Sequence, residues 1–88
     1  MATSELNPRS PVPLYRQVAD IIIAAIESAE LPELEPIPSQ TVLTERFHVA
    51  RGTVAKALKH LQQDGYVFLV VGRGLWVTPK DKRRKRPS

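Results

Sequence analysis

The side chains in this sequence that could do chemistry are cationic and hydroxylic rather than nucleophilic or metal-binding. Arg46, Arg51, Lys56, Lys59 and Arg73 stand against only Glu45 and Asp64 in the second half of the body, whereas Glu27, Glu30, Glu33 and Glu35 cluster in the first. Guanidinium and ammonium groups gathered on one side of a fold attract phosphate, so if one half of the chain meets a polyanion it is the second. Charge alone leaves the plainer reading open, since most helical charge runs are solvated faces. His48 and His60 have no cysteine and no second carboxylate at ligand spacing, so they read as surface or turn residues and no metal is expected. There is no nucleophile beside a base, no pair of carboxylates at a plausible spacing and no phosphate loop ahead of a helix. An enzyme is therefore not expected, and no cofactor is implied.

The frame around these groups is small. Eighty-eight residues hold one domain with one modest core. With no cysteine, packing of secondary structure has to stabilise it without disulfides or thiolate metal sites. Met1 to Pro13 is polar and proline-interrupted, unlike a signal peptide, and no apolar run approaches membrane-spanning length, so a soluble, cytoplasmic protein with no membrane partner is expected. The net charge of +4 is uneven: Lys80, Lys82, Arg83, Arg84, Lys85 and Arg86 fall in the last nine positions, offset by Asp81, and the remainder carries −1. High isoelectric point is thus a weak argument for nucleic acid. The tail could track phosphates non-specifically or serve only solubility, and the first role is the expectation.

Residues 1–12 are expected to form a flexible arm, 13–79 the folded domain and 80–88 a disordered basic tail. Pro13 suits the start of a helix. At about 100° per residue, Leu14, Tyr15, Val18, Ile21, Ile22, Ala25, Ile26 and Ala29 make one stripe, with Ile23 at its edge as either a lip of the core or a subunit contact. Pro32, Pro36 and Pro38 break the chain, and Ser39 is a suitable N-cap for a short helix, Gln40 to Phe47, burying Val42, Leu43 and Phe47. A third helix over 51–64 turns Val54, Ala57, Leu58 and Leu61 inward, and Gly65 stops it. Tyr66 to Val71 and Leu75 to Thr78 read as strands around a Gly72-Arg73-Gly74 turn. The first strand is apolar throughout, so its outer face needs cover from the arm, the tail, a second subunit or a partner.

Helix, short helix, tight turn, longer helix and hairpin make a mostly α fold with a small β-hairpin, the winged helix-turn-helix of three helices plus a wing. Leu14-Tyr15-Arg16-Gln17-Val18, Ile37-Pro38-Ser39, Leu43-Thr44-Glu45-Arg46-Phe47, Val49-Ala50-Arg51-Gly52-Thr53-Val54, Ala57-Leu58, Leu61, Asp64-Gly65 and Gly72-Arg73-Gly74 together resemble the GntR-type regulator domain, from Leu14 to Val77. The resemblance implies a bacterial transcription regulator, more usually a repressor, that reads double-stranded DNA. The third helix would enter the major groove and the wing turn 72–74 would lie on the backbone or minor groove.

Carried over residue by residue, it implicates Ser39, Arg51, Gly52, Thr53, Gly72, Arg73 and Gly74 as DNA-binding. An arginine on the first turn of a recognition helix can hold guanine bidentately or clamp a phosphate. Two glycines around Arg73 let the backbone approach closely. The departures fall at DNA-facing positions. Gln40 and Thr41 stand where an acid and an arginine are usual, and Ala55 stands where an arginine is usual, with Lys56 and Lys59 as candidate substitutes. Ala50 replaces the usual serine or threonine cap, which leaves bare amides that could receive a DNA phosphate.

The resemblance further implies a homodimer on a palindromic operator, and an effector-binding module that this chain does not contain. Either the protein is a stand-alone reader, or these residues are a fragment of a longer one, with Met1 leaning toward a natural N-terminus. The main alternative is a winged helix used for protein contact alone, which an apolar or acidic third helix would have favoured. RNA binding by the tail would call for aromatic residues beside its charges, and it has none.

Overall fold

In the computed structural model, which describes residues 6–83, three helices and a two-stranded antiparallel hairpin surround one core. Helix α1 spans Leu14–Glu27, α2 Gln40–Phe47 and α3 Arg51–Gln63; β1 is Val67–Val70 and β2 Gly74–Val77. A final 3-10 turn covers Lys80–Lys82.

Pro13 serves as the N-cap of α1: it lacks an N–H that would otherwise be orphaned, and its carbonyl accepts from the amides of Arg16 and Gln17. The stripe predicted for α1 is buried through Val18, Ile22, Ala25 and Ile26, together with Ala19. Ile23 is only 4% exposed, which makes it core and not a contact for a second subunit. Ala29 leaves the stripe. The helix has already ended, and Ala29 takes a left-handed φ of 65° and is exposed, its amide bonded back to Ile26. That conformation normally suits glycine.

Across the core, Leu43 of α2 and Val54, Ala57 and Leu61 of α3 meet α1, while Tyr66, Val67 and Val77 close the wing side. Each fully buried Ile, Leu or Val side chain contributes about 1.5–3 kcal/mol. Val42 and Leu43 project about 100° apart on α2, and this short helix turns only Leu43 inward: Val42 stays 43% exposed and Phe47 is half-buried. The α2–α3 turn is tight because His48 adopts φ 54° and donates its amide to the Thr44 carbonyl.

The proline-rich stretch after α1 does more than break the chain. The amides of Leu34 and Ile37 donate to the Val77 and Leu75 carbonyls, and Val77 donates to Glu35, so residues 34–37 line the free edge of β2. Pro36, opposite Trp76, sits on an outer edge where its missing N–H is harmless.

Two boundary expectations are corrected. Within the expected flexible arm, Leu6 packs against the core, and the Gln17 amide group exchanges hydrogen bonds with the Asn7 backbone and donates to Val12. Within the expected disordered tail, Lys80–Lys82 are helical, the Lys80 amide donates to the Glu33 carboxylate, and the Arg83 guanidinium donates to the Thr78 carbonyl. Local hydrogen bonds and an acidic neighbour outweigh the polar composition that suggested disorder. Residues 84–88 of that tail and 1–5 of the arm lie outside the described residues.

The apolar strand β1 keeps an uncovered part. In register, Val67 pairs with Val77, Phe68 with Trp76 and Leu69 with Leu75. Val67 and Val77 are buried, yet Leu69 is 57% and Val71 91% exposed. The bonds that fix the described arm and tail run to α1, Glu33 and Thr78, so none of them ties either segment to β1.

Candidate nucleic-acid interface

Three features converge on one side of the fold: the start of α2, the start of α3 and the wing tip. Ser39 caps α2 through its hydroxyl, which accepts from the Val42 amide at 3.2 Å, and the hydroxyl hydrogen remains able to donate to a phosphate. Gln40, the first residue of α2, donates its side-chain amide to the carbonyl of Arg51, the first residue of α3, at 3.2 Å. A cleft of about 300 Å³ lined by Pro38, Ser39, Gln40, Arg73 and Gly74, with Leu58 at its wall, brings the α2 start up to the wing turn.

Helix α3 has the same entry geometry as α2 without the cap. Ala50 has φ −65° and ψ 149° and supplies no side-chain acceptor. Its carbonyl accepts from the amides of Thr53, at 3.0 Å, and Val54. The Thr53 amide is thereby satisfied, which narrows the bare amides expected at this helix start to those of Arg51 and Gly52. Gly52 is exposed, and a Cβ there would meet nothing within 4 Å.

At 100° per residue, Arg51, Ala55 and Lys59 follow one another along a single exposed stripe, with Gly52 beside them. Lys56 and then Thr53 follow on the Gly52 side of that stripe, with Thr53 half-buried at its rim. The Lys56 ammonium stands 4.4 Å from the centroid of the Tyr15 ring of α1, a cation–π contact worth about 0.5–1 kcal/mol when exposed. Among the described residues, no ion pair engages Arg51, Lys59 or Arg73, so their charges face solvent uncompensated. Thr41 is exposed on the first turn of α2.

At the wing, Gly72 and Gly74 have φ of 79° and 85°, with open space where a Cβ would stand, so backbone conformation rather than room calls for glycine. The Arg73 amide closes the turn onto the Val70 carbonyl at 2.9 Å. The Arg73 carbonyl accepts from the Trp76 indole at 3.2 Å. Trp76 thus steadies the tip that presents Arg73, a role for which the sequence, which marks it only as a strand residue, carries no signal. Gln40 was noticed only as a departure from a pattern, and its reach to Arg51 had no signal in the sequence.

The histidines occupy structural positions. His48 caps α2, and His60 packs its ring edge-on to Tyr15, with Nε2 3.2 Å from the Asp64 carboxylate. No group of three or more potential metal ligands occurs among the described residues. Nor is any helix among them long and apolar enough to cross a membrane.

Residues 14–77 match the family described as bacterial regulatory proteins, gntR family. The chain belongs to the GntR family. It is 34% identical over 73 residues to the HTH-type transcriptional repressor NagR of Bacillus subtilis, covering 83% of this chain and 30% of NagR. Among solved structures, a transcriptional antiterminator from Listeria monocytogenes EGD-e superposes with a TM-score of 0.85 at 27% identity, over 98% of this chain and 64% of that one. The AraR DNA-binding domain in complex with operator ORX1 superposes with a TM-score of 0.74 at 31% identity, over 82% of this chain and 89% of that one. The fold is thus the GntR winged helix-turn-helix, and the chain spans about a third or less of the length of the curated relatives it matches.

Proposed function

We propose that this chain is the operator-reading domain of a GntR-type transcription regulator, in most settings a repressor, acting on double-stranded DNA in the cytoplasm and without catalytic activity of its own. The observation that carries this reading is the convergence of the α2 start, the α3 start and the wing tip, with Arg51, Lys59 and Arg73 on exposed positions and in no ion pair among the described residues. Support comes from the similar AraR domain bound to operator DNA and from NagR, a repressor by name.

In this reading α3 lies in the major groove. Arg51 reads guanine or clamps a phosphate; Thr53 and Gly52 border it; and Lys59, on the Arg51 stripe, takes over from the arginine that Ala55 lacks. Lys56, held toward Tyr15, reaches phosphate only by leaving that ring. Ser39, Thr41 and the Gly72-Arg73-Gly74 turn hold the backbone, which fixes orientation without reading sequence. A homodimer on a palindrome with half-sites about one helical turn apart supplies the affinity that one small interface lacks, and an effector-sensing module outside this chain would regulate it.

The test is selection of binding sites from a random DNA pool, followed by fluorescence titration at two salt concentrations. A palindromic motif enriched by the wild type and lost with Arg51→Ala is the expected result. Salt-sensitive binding without enrichment would reduce the interface to a basic surface, and no binding would move the reading to protein contact. Removing residues 80–88 is expected to flatten the salt dependence, since each phosphate neutralised contributes to that slope.

A further inference from the structure

We propose that Gln40 is a positioning residue for sequence reading: its side chain fixes the start of α3 so that Arg51 meets its base in register. This rests on the reading of Arg51 as a base contact.

The starting point is the weakness of the α3 entry. Ala50 gives no side-chain cap, and Gly52, one residue inside the helix, adds backbone freedom instead of side-chain packing. First turns of helices open readily when their amides and carbonyls have few partners. Yet this is the turn from which a guanidinium must meet two acceptors on a base edge within about 2.7–3.2 Å.

Gln40 leaves those amides bare and ties the helix start through a carbonyl instead. Its Nε2 donates to the Arg51 carbonyl at 3.2 Å across eleven positions of sequence, tying the first residue of α2 to the first residue of α3. A carbonyl has two lone pairs, so the Arg51 oxygen can accept this bond and the intrahelical bond from residue 55 together. Gln40 is itself well held: α2 is capped by Ser39, and Gln40 lines the cleft shared with Arg73. The bond uses the backbone of Arg51 and leaves its guanidinium free.

A carboxylate of the same length would do the opposite. It cannot donate to the carbonyl, so the tie to the start of α3 would be lost. Glutamine at this position therefore determines how firmly Arg51 is presented.

The deciding experiment is site selection with the full chain as wild type, Gln40→Met, Gln40→Glu, Arg51→Ala and the Gln40→Met, Arg51→Ala double variant. Methionine keeps the length and helix propensity of glutamine without a donor. Thermal melting checks that each variant folds, and Gln40→Ala replaces Gln40→Met if the latter does not. Arg51→Ala identifies the base pair that Arg51 reads. Gln40→Met is expected to relax preference at that base pair by about 2- to 10-fold, the range of one net hydrogen bond, with other positions unchanged; Gln40→Glu, which also lacks the donor, is expected to relax it as well. The double variant is expected to match Arg51→Ala alone.

Relaxation at a different base pair would make Gln40 a direct reader and overturn the proposal, as would an unchanged motif. A wild type that enriches no motif would overturn the underlying reading and this assignment with it. That result is distinguishable from failure of the tether alone, in which wild type and Gln40→Met enrich the same motif.

Discussion

The two helix starts that face the same side of this molecule have nearly the same backbone and opposite endings. Ser39 and Ala50 enter α2 and α3 at φ −65° with ψ of 161° and 149°. Ser39 closes its helix with its own hydroxyl, whereas Ala50 leaves the first amides of α3 uncapped, and the bond from Gln40 reaches only the Arg51 carbonyl. The difference is one oxygen atom, and it separates a start that is complete within the protein from one that is not. A complete start is a fixed support. An incomplete one, with exposed Gly52 and, among the described residues, no ion pair at Arg51, leaves its polar groups open to solvent.

The largest effect expected from breaking this comparison is at Arg51. Arg51→Ala removes an exposed side chain with no ion pair among the described residues, so thermal stability should barely move. Discrimination between operator and unrelated DNA should fall by about 1–3 kcal/mol, roughly 5- to 150-fold, in competition titrations. An equal loss on all sequences would recast Arg51 as a phosphate clamp. Next is Ser39→Ala, which deletes the real cap and should cost about 1 kcal/mol, lowering Tm by about 4–8 °C. An unchanged melting curve would show that α2 does not depend on its cap.

The converse change sharpens the comparison. Ala50→Ser should complete α3 and raise stability by up to about 1 kcal/mol while weakening operator binding, because the new hydroxyl occupies amides otherwise offered to a phosphate. Affinity that stays level or rises would remove the phosphate from that helix start. Gly52→Ala should be the smallest effect: stability rises by a few tenths of a kcal/mol to about 1 kcal/mol, since a helical glycine with open space gains from a methyl group. Affinity should fall only if DNA comes as close as the bare backbone allows, which the same titration reads.

Most of the architecture was legible in the sequence because it follows from local rules. The i, i+3, i+4 spacing of Val54, Ala57, Leu58 and Leu61 fixed α3, the change to β-branched residues after Gly65 marked the wing, and Ser39 announced its own cap. The same rules failed where two segments distant in sequence satisfy each other. Pro32, Pro36 and Pro38 read as breakage, yet residues 34–37 pair along β2, because a proline on an outer edge loses nothing by having no N–H. Asn7 and Lys80 looked unstructured, and both are held by side chains, Gln17 and Glu33, that polar composition could not assign to them.

The candidate site divides in the same way. Residue types and helical spacing alone determined that Arg51, Ala55 and Lys59 share a face and that Gly72 and Gly74 bracket a charged tip. Tertiary structure decided which of these groups remain available. Tyr15 draws Lys56 toward α1, Trp76 steadies the carbonyl of Arg73, and Gln40 reaches Arg51. Periodicity orients a side chain about its own helix axis, whereas a partner on another element is known only once the chain has packed.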